Sequence, residues 1–164
     1  MLAGKLLAQA GVDYGLEVTW LPSYGPEMRG GTANCTVILS DEPIGSPVVD
    51  NPNALVAMNL PSLDKFEKTV ATAGIIVVNS SLITRPIKGN DLQVLSVPAN
   101  NIAVSLGNPQ VANMVVLGAV VKAAEIIPFE LIKTAMARMI GHNVYSAKLI
   151  SVNEQALSAG YNAT

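Results

Sequence analysis

The 164-residue chain is half hydrophobic, carries 13% charged residues where an average soluble domain has about 25%, and has a formal net charge of −2. That balance argues against electrostatic capture of nucleic acid, and four Tyr, two Phe and one Trp are too few for base-stacking platforms. A surface this poor in charge reads as one partly covered by other subunits; the plainer alternative is a compact, Ala- and Val-rich monomer. The most apolar stretch, residues 111–121, is about half the ~20 residues of a membrane-spanning helix and ends against Lys122, Glu125 and Pro128. Residues 1–10 lack the basic start and cleavage signal of a secretory leader, so the expected location is the cytoplasm. A single cysteine, Cys35, excludes an internal disulfide and a CxxC zinc or iron–sulfur cradle built by this chain alone.

In chain order, residues 2–14 predict a helix from the i, i+4 repeat of Leu2, Leu6, Ala10 and Tyr14, with Gly15 as its C-terminal cap. Residues 16–21 (LEVTWL) and 32–40 (TANCTVILS) predict strands on either side of the turn-rich PSYGPEMRGG. Residues 53–59 (NALVAMN) form a short apolar run of the kind buried in a parallel sheet. A helix is expected over 61–73, with Ser62 as N-cap and Leu63, Phe66 and Val70 facing inward. GIIVVNS (74–80) is the clearest strand, and LQVLSVP (92–98) is another. Helices are expected over 101–106, 110–124, 128–139 and 145–159, with Pro109 and Pro128 marking two starts. This order predicts one α/β domain over 1–164: three-layer and Rossmann-like, with a mixed, mainly parallel sheet and a helical C-terminal part. No repeat, low-complexity segment or linker interrupts it.

The densest constellation is the loop Tyr24, Gly25, Pro26, Glu27, Met28, Arg29, Gly30 and Gly31. Its glycines free backbone N–H groups, and Arg29 adds a five-donor fork, so together they could hold a phosphate or carboxylate. The simpler reading is a rigid loop in which Arg29 pairs with Glu27 or with a partner's acid. Asp41 and Glu42 are adjacent, but neighbours at a strand end point apart, and a solvated turn fits them better than a metal site. His142, the only histidine, follows Gly141 at an expected helix C-terminus, where the dipole favours a cation. No G-x-S-x-G elbow accompanies it. Cys35 lies in an apolar strand and reads as a small buried hydrophobe. Also missing are a Walker-type phosphate loop, an intact G-x-G-x-x-G, a histidine pair for zinc, and a GDG…N segment for the metal of thiamine diphosphate.

The run LAGKLLAQAGVDYGLEVTWLPSYGPEMRGGTANCTVILSDEPIGSPVV resembles the gamma subunit, or gamma domain, of 2-oxoacid:ferredoxin oxidoreductases. LVAMN (55–59), NSSLI (79–83), VPAN (97–100), LGNPQVANMVVLGA (106–119) and NEQALSAG (153–160) continue the likeness in the family's order. YGPEMRGGTANC is most similar to the 2-oxoglutarate and general keto-acid branches, with pyruvate and branched-chain 2-oxoacids left open. The resemblance implies a non-autonomous subunit of an enzyme that decarboxylates a 2-oxoacid oxidatively, passes electrons to ferredoxin and transfers the acyl group to coenzyme A. It implies that thiamine diphosphate and Mg2+ lie in alpha and beta subunits and that [4Fe-4S] clusters lie in beta or a delta subunit. It further makes Tyr24, Gly25, Glu27, Arg29, Gly30, Gly31 and Asn113 candidates for a subunit interface or the region approached by coenzyme A, and assigns no catalytic residue or metal ligand. The rival function is a stand-alone Rossmann-like nucleotide- or acyl-carrier-binding regulatory module. In similar proteins a short strand and a GxGGQG-like loop precede the helix matching 2–14. The resemblance therefore implies such a segment ahead of Met1 and an interrupted sheet between residues 16–21 and 53–59.

Overall fold

The structure, a computed structural model, describes residues 1–23, 33–89, 91–141 and 146–163. Helix α1 (Leu2–Tyr14) opens the chain and ends as the sequence predicts. Gly15 sits at φ 92°, its N–H donates to the Val12 carbonyl, and the Leu16 N–H donates to the Gly11 carbonyl, both at 3.0 Å. This is a Schellman-type ending that a side chain at position 15 would strain.

The next two strands, β1 (Glu17–Ser23) and β2 (Asn34–Ser40), pair antiparallel with Trp20 opposite Val37. Helix α1 lies against this hairpin on its small residues. A Cβ on Gly4 would fall 2.5 Å from Cys35 Sγ, and one on Gly11 would fall 2.5 Å from Leu39 Cδ2. The opposite side of α1 sends Leu6 and Ala10 into the main core.

Three further strands, β3 (Ala54–Ala57), β4 (Ile75–Asn79) and β5 (Gln93–Val97), form a parallel sheet in that order, with Val77 between Val56 and Leu95. The α/β layering is that expected. Among the described residues the strands fall in two sheets that share no pairing, the antiparallel hairpin β1–β2 and the parallel β3–β4–β5, rather than in one mixed sheet. Successive residues of β4 point to opposite faces. Val77 joins a large core with α4 (Ala112–Ala124), α5 (Phe129–Ile140) and α6 (Ser146–Asn162), while Ile76 and Val78 join a smaller one with Leu63 and Ile83.

Helix α4 is apolar nearly all round, as a helix enclosed by other elements must be. It crosses α6 at backbone distance: a Cβ on Gly118 would lie 2.0 Å from the Leu157 carbonyl oxygen, and one on Gly160 1.7 Å from that of Val115. Only glycine fits either position. On the other face, α2 (Leu60–Phe66) is shorter than the 61–73 helix expected and passes into a 3-10 turn over Glu67–Thr69. Its N-cap is Asn59, whose Oδ1 accepts the Ser62 N–H at 3.0 Å; Ser62 is the recipient, not the cap. Leu63 is fully buried as expected, Phe66 and Val70 are half-buried, and the unexpected fourth member of that side is Glu67. The remaining helix, α3 (Ala99–Ser105), follows β5 directly.

Candidate functional site

Of the residues the sequence singles out, Tyr24, Gly25, Glu27, Arg29, Gly30 and Gly31 lie outside the described residues, as does His142. Asn113 is half-buried in the first turn of α4, where its Oδ1 accepts the Met114 N–H at 3.0 Å. Asp41 and Glu42 are both exposed. Cys35 is half-buried, not enclosed, and meets α1 across Gly4.

What the fold does bring together is the carboxyl ends of the parallel strands, the edge at which open α/β sheets bind ligands. Three stretches of the resemblance, LVAMN, NSSLI and VPAN, meet there through one side chain. Asn79, with no exposed surface, donates from Nδ2 to the Met58 carbonyl at 3.2 Å and to Asn100 Oδ1 at 2.7 Å. It thereby ties the end of β4 to the ends of β3 and β5. Its Oδ1 is buried without a donor among the described residues. Ser81 Oγ continues the cluster by accepting the Asn101 N–H at 3.2 Å. The repeated asparagines were legible in the sequence; their convergence on one point was not, because it depends on strand order.

A second network was missed altogether. Arg85, between β4 and β5, donates from Nη2 to Asp64 Oδ1 at 2.6 Å and grips both oxygens of Glu67, at 3.2 and 2.8 Å. The Lys88 backbone N–H adds a third bond to Glu67, at 2.7 Å. The Arg85 guanidinium holds the Glu67 carboxyl below the usual glutamate range; burial opposes this, and the Lys88 N–H assists it. Glu67 in turn raises the Arg85 pKa further. Asp64 and Glu67 stand at i, i+3, one helical face, and that spacing was the available signal.

This clamp pins the segment after β4 against α2, which packs on β3. Between this segment and β5 lies an open groove of about 560 Å³. Val78, Ile83, Ile87 and Val94 line it with apolar surface, and Ser80 and Ser96 add hydroxyls. No group of three His, Cys, Asp or Glu side chains that could hold a metal occurs among the described residues. One cysteine cannot supply the four thiolates of a [4Fe-4S] cluster, so the residues do not fit a resident cluster. Among the described residues no helix is long and apolar enough to cross a membrane.

Parallel strands backed by a sealed helical layer, with polar side chains at their carboxyl ends, define an α/β domain of the Rossmann-like class. A family model described as pyruvate ferredoxin/flavodoxin oxidoreductase matches residues 1–163, and the chain belongs to that family. It is 47% identical over 115 residues to the ketoisovalerate oxidoreductase subunit VorA of Methanothermobacter thermautotrophicus, a match covering 70% of this chain and 24% of that longer protein. It is 32% identical over 164 residues to the 2-oxoglutarate synthase subunit KorC of Methanocaldococcus jannaschii, covering 98% of this chain and 85% of the relative. The solved gamma subunit of the keto/oxoacid ferredoxin oxidoreductase from Geobacter sulfurreducens superposes with a TM-score of 0.82 at 29% identity, over 99% of this chain and 89% of that one.

Proposed function

We propose that the chain is the gamma subunit of a multisubunit 2-oxoacid:ferredoxin oxidoreductase that decarboxylates a 2-oxoacid to its acyl-coenzyme A ester with reduction of ferredoxin. The observation that carries this reading is the near full-length likeness to subunits of such enzymes, KorC above all. The relatives differ in substrate, ketoisovalerate for one and 2-oxoglutarate for another. The substrate is accordingly assigned here only as a 2-oxoacid, its side chain met mainly by other subunits.

In this reading the alpha and beta subunits carry thiamine diphosphate and Mg2+, and [4Fe-4S] clusters lie in beta or a delta subunit. Thiamine diphosphate would supply the carbanion chemistry of decarboxylation. This chain's part is to pack against those subunits and help form the region approached by coenzyme A. Tyr24, Gly25, Glu27, Arg29, Gly30 and Gly31 are assigned to that interface or region, with Asn113 at the start of α4. Arg29→Ala is expected to leave the isolated fold intact while weakening assembly or raising the apparent KM for coenzyme A.

The test is copurification from native extract, with the partners identified by mass spectrometry and acceptor reduction assayed across several 2-oxoacids. Thiamine- and cluster-bearing partners are the expected result. Tight nucleotide binding by the isolated chain, with no such partners, would instead establish a stand-alone regulatory module.

A further inference from the structure

Strand β5 is one of the two outer strands of the parallel sheet among the described residues, and the one that borders the groove. Gln93 turns its backbone to β4, since its N–H donates to the Gly74 carbonyl at 2.9 Å. Val97 does the same, accepting the Ser80 N–H at 2.9 Å. In a parallel ladder the direction of N–H and C=O alternates along the strand, so those of Val94 and Ser96 point away from β4. Those two residues are also the ones whose side chains line the open groove. Val94 is 39% exposed, and neither serine hydroxyl of the groove makes a hydrogen bond among the described residues.

An outer strand is ordinarily defended by a charge, a proline or a bulge. In the hairpin β1 follows that rule, with Glu17 and Pro22, whereas β2 carries neither a charge nor a proline. Strand β5, Gln-Val-Leu-Ser-Val, carries none of these. The groove beside it is also electrically quiet, because the Arg85 guanidinium on its rim is already committed to Asp64 and Glu67. A free edge needs an extended backbone. An apolar, hydroxyl-bearing groove beside it needs uncharged side chains at alternate positions of that backbone.

The geometry points to β5 and its groove as a docking surface for an extended, uncharged segment of a partner subunit, added to the sheet as a further strand beside Val94 and Ser96. This rests on the reading of the chain as one subunit of a larger enzyme and names where a partner is met. Residues of the segment that alternate toward the α2 side lie over Val94 and Ser96 and against Ile83 and Ile87. Residues of the other parity face the helical layer.

The test uses the full chain and the alpha and beta subunits of the same enzyme, by residue-resolved amide exchange. In the free chain the Val94 and Ser96 amides exchange fast and the Leu95 amide slowly. In the complex Val94 and Ser96 slow by at least about tenfold, the change that a gained strand pairing brings. Val94→Asp and Ser96→Pro, each checked for an unchanged melting temperature, weaken association on the order of tenfold. Val48→Asp, on an exposed connection away from the groove, leaves it unchanged. If a complex forms while both amides stay fast and either well-folded variant binds normally, the docking site is overturned and the subunit reading stands. If no complex forms with the unaltered chain, both fail. Slowing of the same amides by a second copy of this chain, or by coenzyme A alone, also overturns the proposal.

Discussion

The two faces of the parallel sheet are finished differently. On the α4 side Val77 and Val97 are wholly buried under helices supplied by the chain itself, and the α4–α6 crossing closes that layer to backbone contact. On the α2 side one short helix and a clamped connection cover β3 and β4, and Val94 of β5 remains 39% exposed. The comparison teaches that stability is concentrated on one side and available surface on the other. The open side is the one proposed above as the docking surface.

The largest effect is expected at the helix crossing. Gly160→Ala places a methyl group where the Val115 carbonyl stands and should cost about 3 kcal/mol, read as a lower urea midpoint at constant slope. An unchanged midpoint would mean that α4 and α6 are not in backbone contact. Next comes Val77→Ala, which empties a sealed position and should cost about 2 kcal/mol. Asn79→Ala removes the donor shared by Met58 and Asn100, for about 1–2 kcal/mol, with faster amide exchange at the start of α3 as its particular mark.

A smaller effect, about 1 kcal/mol, is expected for Glu67→Gln, since Arg85 keeps Asp64 and is itself partly exposed. Its pH dependence is specific. The Glu67 pKa is lowered by folding, so its contribution is complete above the unfolded value of about 4.5 and is lost as pH falls through the folded one. The gap between the unaltered chain and Glu67→Gln should therefore close on the acid side; a gap that widens there would contradict the assigned bonds. The smallest effect belongs to the open face: Val94→Ala should change stability by less than about 0.5 kcal/mol. A loss equal to that of Val77→Ala would erase the distinction between the two sides.

Much of this was legible in the sequence, for identifiable reasons. Helix α1 could be read to the residue because its i, i+4 repeat and Gly15 act locally. Strands β4 and β5 stood out by β-branched content. Helix α2 was read too long because the apolar spacing of Leu63, Phe66 and Val70 continues through Glu67, where the backbone tightens into a 3-10 turn. Its cap was misplaced by three residues because Asn59 and Ser62 are both capping types, and only geometry tells acceptor from recipient. The Arg85 clamp and the Asn79 junction join residues 18 to 21 positions apart, and no local pattern carries that information. The family, by contrast, was readable from YGPEMRGG, SDEPI and ANMVVLGA in order, although the first of these lies outside the described residues.

The subunit reading is tested most directly by 2-oxoacid-dependent reduction of a viologen dye in the presence of coenzyme A. The purified chain alone should give no reduction with any 2-oxoacid. Alpha and beta subunits prepared without it should regain turnover when it is added back. Reduction by the chain alone, or unaltered turnover by the other subunits in its absence, would contradict the account.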